Sequence, residues 1–160
     1  MNLLKIKKIL LIIFFLSGLT ALIYEVVWMR MLAIIFGATT MAVSTVLAVF
    51  MGGLALGSFF WGRLAEKSKF PLLHFGFLEL GIGLYSLFIP FMFEALIKFY
   101  PRLYNLPAVK LLGLGLARFF LCSLILCIPT ILMGGTFPVI SKFYAHQRSR
   151  QNKDVSALYG

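Results

Sequence analysis

Charged positions divide the chain into long apolar segments. Apolar and small residues run without a charge over 9–24 and again over 31–61. A single helix over the second run would be about 46 Å long, whereas the hydrocarbon core of a bilayer is about 30 Å thick. The second run must therefore contain a turn. We place it at 36–40, FGATT, where Gly37 can adopt positive φ and the threonines can cap the next helix.

The same pattern predicts an all-α membrane protein with four transmembrane helices and no soluble domain. The short charged stretch GRLAEKSKFP ends the second helix, and YPRLYNLP follows the third. Pro129 and Pro138 fall inside the fourth helix and should kink or loosen it near its end. We treat 1–160 as one helical unit, with spans at about 9–36, 40–62, 72–100 and 108–140 and a basic tail over 141–160.

Composition excludes an ordinary soluble domain. Hydrophobic residues make up 61% of the chain and charged residues 12%, whereas soluble domains are about 25% charged. The N-terminus, with its lysines followed by an apolar core, is similar to a secretory signal peptide. Because the apolar stretch continues without a polar mature segment, we expect a retained signal-anchor.

The distribution of basic residues predicts the orientation of the helices. The net charge is +10, but the bases flank apolar segments, which argues for contact with anionic headgroups and against nucleic acid. Ten of the 15 Lys and Arg residues fall on one predicted side of the membrane: Lys5, Lys7, Lys8, Arg63, Lys67, Lys69, Lys142, Arg148, Arg150 and Lys153. By the positive-inside rule this side is cytoplasmic, so both termini are expected inside.

The sequence offers no catalytic, cofactor-binding or metal-binding residue. Only five acids occur in the whole chain, and no His stands beside a Cys or Ser nucleophile. Cys122 and Cys127 have neither zinc nor redox spacing and are interpreted as packing residues. His74 and His146 are isolated near expected membrane boundaries. The chain by itself is therefore not expected to be an enzyme.

Charged residues inside the predicted spans are the main functional candidates. Glu25 and Arg30 point about 140° apart on a helix, so their partners must come from other helices. Matching depths predicts two pairs, Glu25 with Arg118 and Arg30 with Glu94, although exchanged partners stay open. Such pairs either fix helix register or line a polar pocket for a cationic or zwitterionic solute. Glu79 is an isolated intramembrane carboxylate, either a functional group or a structural hydrogen-bonded one.

Small residues recur on the second predicted helix. Ser44, Ala48 and Gly52 lie at intervals of four, and Gly53 and Gly57 form a G-x-x-x-G pattern. Small residues let helix backbones approach closely inside a membrane. We expect these five residues to pack helices within the chain, with a dimer face or a substrate groove as the alternatives.

Several motifs resemble one known family. In order, these are YEVVW, FGATT, STVLAVFMGGLALGS, GRLAEK, LELGIGLYS and PTILMGGTFPVIS. Together they resemble the N-terminal membrane region of spermidine-synthase-like membrane proteins, in which transporter-like helices are fused to an aminopropyltransferase-like domain. The resemblance implies a multi-pass protein of the bacterial inner membrane, linked to the binding of polyamines or other small solutes. It covers nearly the whole chain.

The resemblance also shows what this sequence lacks. The family's soluble domain carries a Gly-rich cofactor loop and catalytic aspartates, and these positions do not occur here, so no catalytic residue can be assigned. We expect the chain to be a fragment of the longer family architecture, whose partners would be further helices or a soluble synthase-like domain on another chain.

Two alternative interpretations remain. GSFFWGRLAEKSK is similar to the loop between helices two and three of the major facilitator superfamily, which would make the chain a transporter fragment. However, Glu66 stands where that family usually has Asp, and four spans are too few for its fold. The second alternative is a structural membrane anchor for a partner domain.

Overall fold

The structure, a computed structural model, describes residues 3–37, 39–68, 70–104 and 114–159. These ranges form four α-helices and contain no strand: α1 (Leu3–Phe36), α2 (Thr39–Lys67), α3 (Pro71–Tyr104) and α4 (Leu114–Tyr159). Each helix contains a segment that is long and apolar enough to cross a membrane: Lys7–Ile35, Thr40–Lys67, Pro71–Lys98 and Phe119–His146. The prediction of a four-helix, all-α architecture is confirmed to this extent.

The turn between α1 and α2 lies where the sequence predicts it. Gly37 has φ +69°, the left-handed conformation that glycine adopts without steric cost. Its N–H donates to the Ala33 carbonyl at 3.0 Å, which closes the end of α1. The chain therefore reverses within a few residues, and α1 and α2 become antiparallel neighbours.

A side-chain cap shapes the short turn between α2 and α3. The Phe70 N–H donates to Ser68 Oγ at 3.1 Å. Pro71 then begins α3, at the first helical position, where its missing N–H leaves no intrahelical bond unmade.

Two glycines bring α2 and α4 into close contact. A Cβ atom placed on Gly53 would lie 2.5 Å from Thr130 Cβ, and one on Gly57 would lie 2.8 Å from the Ile131 carbonyl carbon. Only glycine allows the two backbones to approach so closely. These two members of the predicted small-residue set therefore lie in the α2–α4 interface.

The other three predicted packing residues lie on the outside of the bundle. Ser44, Ala48 and Gly52 are exposed, and a Cβ atom on Gly52 would meet nothing within 4 Å. Neighbouring residues on a helix point about 100° apart, so Gly52 cannot share the face of Gly53. The small residues thus form one buried pair and one exposed row.

The buried side chains form two separate clusters along the bundle. The larger cluster comprises Trp28, Leu32, Ala42, Val46, Phe50, Ile82, Ile89, Phe93, Cys122, Ile125, Leu126 and Met133. The smaller cluster comprises Ala65, Phe75, Leu78, Val139 and Ile140. Within an apolar stretch of 18 residues taken from each helix, half of the α4 stretch is buried, against 6% of the α1 stretch. Helix α4 is therefore the central helix, and α1 lies at the periphery.

Helix α4 differs from its predicted bounds. The predicted start near residue 108 lies outside the described residues. At its other end the helix passes the predicted boundary at 140 and continues to Tyr159. The physical reason is that 141–159 contains neither Gly nor Pro, so nothing in the predicted tail stops the helix.

Candidate functional site

A small cleft with a mostly apolar lining and a few polar side chains lies between α1, α3 and α4. Its volume is about 100 Å³, and it is lined by Ser17, Thr20, Ala21, Tyr24, Glu79, Ile82, Gly83 and Met133. Glu79 stands eight residues after Pro71, or about 12 Å along α3, and therefore well inside the segment that can span a membrane. The cleft brings an acid and several residues with hydroxyl groups together within helices that are long and apolar enough to cross a membrane.

Among the described residues, Glu79 is the only acid that lines this cleft. Its Oε1 atom is buried and has no hydrogen-bond partner within the described part of the chain. Ser17 on α1 lines the same cleft. A carboxylate at membrane depth is costly unless a cation or several donors compensate it. Glu79 therefore has the capacity to accept a positively charged or hydrogen-bond-donating ligand.

Three side chains of α1 supply the remaining polar groups of the cleft. Ser17, Thr20 and Tyr24 are spaced by three and four residues, so they share one face of the helix. The Thr20 hydroxyl donates to the Leu16 carbonyl at 2.8 Å, which leaves its oxygen lone pairs to accept from a ligand. The Tyr24 ring stacks on Trp28, with the ring centres 5.7 Å apart and the planes 4° from parallel, which fixes the tyrosine at the cleft.

Of the two intramembrane ion pairs predicted from the sequence, one is not formed in the structure and the other is not tested. Among the described side chains Arg30 has no carboxylate within ion-pair distance, and Glu94 pairs with Lys98 at 2.7 Å. The reason is that Lys98 lies one turn further along the same helix, so this pair needs no approach between helices. Glu25 is half-buried. The side chain of Arg118 lies outside the described ones, so the Glu25–Arg118 pair stays a prediction.

Tyrosine hydroxyls make two contacts between helices that the sequence reasoning missed. Tyr85 on α3 donates to the Ile125 carbonyl on α4 at 3.1 Å. That carbonyl stands four residues before Pro129, which has no N–H to bond it, so the tyrosine replaces a missing helical donor. Tyr144 donates to the Lys7 carbonyl at 2.8 Å and joins the C-terminal half of α4 to the beginning of α1. The proline was the available signal for the first contact, and nothing in the sequence marked the second.

No metal centre is seen in the part of the chain that the structure describes, since no three side chains of His, Cys, Asp or Glu come together there. Cys122 is buried and Cys127 is half-buried within the apolar interior. His74 Nδ1 lies 3.0 Å from the Phe70 carbonyl, within the turn before α3. These residues have structural surroundings, whereas the Glu79 cleft is a feature of the described residues that has room for a small ligand.

Comparison with known proteins adds no further constraint. No family model, no curated protein and no solved structure matches the chain.

Proposed function

We propose that the chain is a multi-pass membrane module that binds the ammonium group of a small cationic solute, of the polyamine class, at Glu79. The observation that carries the proposal is the buried Glu79 Oε1 atom, which has no hydrogen-bond partner among the described residues. Its residue lines a small cleft between three helices. An alkylammonium group would supply both the missing donor and the missing positive charge.

The size and chemistry of the cleft support one ammonium end as the ligand. A volume of about 100 Å³ has room for a few water molecules or for one ammonium group with its first methylene groups. An ammonium has three donors, and the residues that line the cleft include Glu79 and three that carry hydroxyl groups, Ser17, Thr20 and Tyr24. A polyamine is a chain of such groups, and the resemblance of the sequence to spermidine-synthase-like membrane proteins favours the same solute class.

The proposed setting is a bacterial inner membrane, with both termini in the cytoplasm. The four spans return the chain to its starting side, and ten of the 15 Lys and Arg residues flank that side. In this orientation Glu79 lies nearer the cytoplasmic ends of the helices. The cleft would then exchange its ligand more readily with the cytoplasmic side.

Equilibrium binding tests this function. Putrescine is titrated into the purified chain in detergent, and the affinity of the native chain is compared with that of Glu79→Gln. We expect the substitution to weaken binding at least about tenfold, because it removes the charge but keeps the shape. Glu94→Gln is the matched control, since Glu94 is an exposed carboxylate paired with Lys98, and its affinity should not change. Equal affinities of all three chains would refute the proposal.

One observation favours a second function, that of a membrane anchor. Helix α4 continues for 13 residues beyond His146, the end of the segment that is apolar enough to cross a membrane. These 13 residues add about 20 Å of helix. A helix projecting from the bilayer could hold a partner domain at a fixed distance. If the chain is such an anchor, its deletion from cells should abolish a soluble synthase activity. Solute flux through liposomes that contain only this chain would instead favour a transporter fragment.

A further inference from the structure

The outward face of α2 carries a row of small residues. Ser44, Ala48, Gly52 and Ala55 are all exposed, and their positions fall within about 80° of one another around the helix. Most exposed residues of α1, by contrast, are Leu, Ile, Val and Phe, whose own side chains fill the space beside the helix. We call these four residues of α2 the small-residue strip. The strip leaves room for the backbone of another helix at the surface of the bundle.

Another face of the same helix shows what small residues at this spacing do. Gly53 and Gly57, four residues apart, lie so close to α4 that a Cβ atom on Gly57 would be 2.8 Å from the Ile131 carbonyl carbon. Ala48 and Gly52 are also four residues apart, but a Cβ atom on Gly52 would meet nothing within 4 Å. Small residues at this spacing let transmembrane helices approach closely. The strip therefore has the shape of a helix-packing surface, and no helix among the described residues covers it.

Two opposite charges lie on the same face, near the C-terminal end of α2. The Arg63 guanidinium lies 4.0 Å from the centre of the Phe59 ring, and Glu66 follows three residues after Arg63. Arg63 and Glu66 are both exposed, and both lie within about 40° of Gly52 around the helix. Neither forms an ion pair among the described side chains. A base beside an acid on one face is a self-complementary pattern, and the partner that it fits is a second copy of that face.

We propose that two copies of the chain form a two-fold symmetric dimer by packing their small-residue strips together. Copies of one protein have the same orientation in a membrane, so the two α2 helices run parallel and equal residues meet at equal depth. In such a dimer both copies use the same patch, so each contact between unlike residues occurs twice. Ala48 and Gly52 lie near the two-fold axis, and Glu66 faces the partner's Arg63.

Disulfide formation between copies tests the dimer and its register. Ala48→Cys is reconstituted in liposomes and oxidised with copper phenanthroline, which links two cysteines whose Cα atoms lie within about 7 Å. Leu47→Cys is the matched control, because Leu47 is also exposed but points about 100° away from Ala48. The unsubstituted chain gives the background of Cys122 and Cys127. We expect Ala48→Cys to cross-link at least about tenfold faster than Leu47→Cys, and equal rates would overturn the proposal.

Energy transfer between donor-labelled and acceptor-labelled chains, diluted stepwise in liposomes, gives the dissociation constant of the dimer. Gly52→Leu places a large side chain in the strip and should raise this constant at least about tenfold. Gly18→Leu on α1 is the matched control, because a Cβ atom on Gly18 also meets nothing within 4 Å, and its dissociation constant should equal that of the native chain. Energy transfer of the native chain at the level expected for random mixing, or an equal effect of the two substitutions, would contradict the dimer.

Exchange of the two charges tests the contact between Glu66 and the partner's Arg63. Glu66→Arg places bases opposite each other and should raise the dissociation constant about threefold, since exposed ion pairs contribute little. Combining Glu66→Arg with Arg63→Glu lets each acid face a base again, so the double variant should recover the affinity of the native chain. A double variant that binds no more tightly than Glu66→Arg alone would overturn the two-fold arrangement.

Discussion

The hydrogen bond from Tyr85 to the Ile125 carbonyl should contribute to stability only because Pro129 cannot bond that carbonyl. The donor is 3.1 Å from the acceptor, and α4 continues unbroken through the proline. Tyr85→Phe removes the hydroxyl and leaves a carbonyl unpaired in an apolar interior. Hydrogen bonds between transmembrane helices contribute about 0.6 kcal/mol on average and up to about 1.7. We expect a loss near the upper end, about 1–1.5 kcal/mol, because no helical donor can take over.

A double-mutant cycle separates this bond from the packing of the tyrosine ring. Pro129→Ala restores an N–H at position 129, which can donate to Ile125 as in any regular helix turn. In that background Tyr85→Phe should cost less than about 0.5 kcal/mol, giving a coupling of about 1 kcal/mol between the two sites. The cavity left by the smaller side chain occurs in both Pro129→Ala chains, so it cancels.

The cycle needs the free energies of unfolding of four chains: the native chain, Tyr85→Phe, Pro129→Ala and the double variant. They are measured by unfolding in mixed micelles of dodecyl maltoside and increasing dodecyl sulfate, followed by circular dichroism. Tyr24→Phe, combined with Pro129→Ala in the same way, is the matched control, because the Tyr24 hydroxyl makes no hydrogen bond to α4 among the described residues. The effects of Tyr24→Phe and Pro129→Ala on the free energy of unfolding should simply add, without a coupling between them. An equal cost of Tyr85→Phe with and without the proline would refute the explanation.

Three further predictions concern packing, topology and activity. Gly57→Ala should destabilise the bundle by about 1–3 kcal/mol in the same micelle assay, because its methyl group would overlap α4. Gly52→Ala, on the open face of α2, should not destabilise it. Equal effects of the two substitutions would contradict the close approach of α2 and α4. Reporter fusions after Arg102 and after Lys153 should report the periplasm and the cytoplasm, and the reverse result would exclude the proposed orientation. The purified chain should transfer no aminopropyl group from decarboxylated S-adenosylmethionine to putrescine, and transfer above a blank membrane preparation would show that it is an enzyme.

The helices could be predicted from the sequence because lipid imposes a simple rule. Every backbone group in hydrocarbon must be satisfied within the segment, so long uncharged stretches become helices. Gly37 marked the first turn, since few other residues adopt positive φ, and Pro71 marked the start of α3. The end of α4 was predicted too early because the loss of hydrophobicity after residue 140 was taken as the end of the helix. Gly and Pro are the strongest signals for the end of a helix, and neither occurs over 141–159.

The site was predictable only in part. Glu79 was recognisable as an intramembrane acid, but its cleft depends on which face of α1 turns toward α3, and depth alone does not give that rotation. The spacing of Ser17, Thr20 and Tyr24 was the signal available for it. The Arg30–Glu94 pair illustrates the same limit, because equal depth does not imply that two side chains face each other. Lys98 was the nearer partner for Glu94, one turn along the same helix.

The contact between Glu79 and a bound ammonium group is the most direct test of the proposed function. The chain is prepared with carboxyl-labelled ¹³C-glutamate, reconstituted in lipid and saturated with ¹⁵N-putrescine, and the carbon–nitrogen dipolar coupling is measured by solid-state NMR. Glu79 should show a nitrogen within ion-pair distance, about 4 Å from its carboxylate oxygens, and the signal should vanish in Glu79→Gln but persist in Glu94→Gln. A coupling that survives Glu79→Gln, or no coupling at saturating putrescine, would contradict a cation site at Glu79.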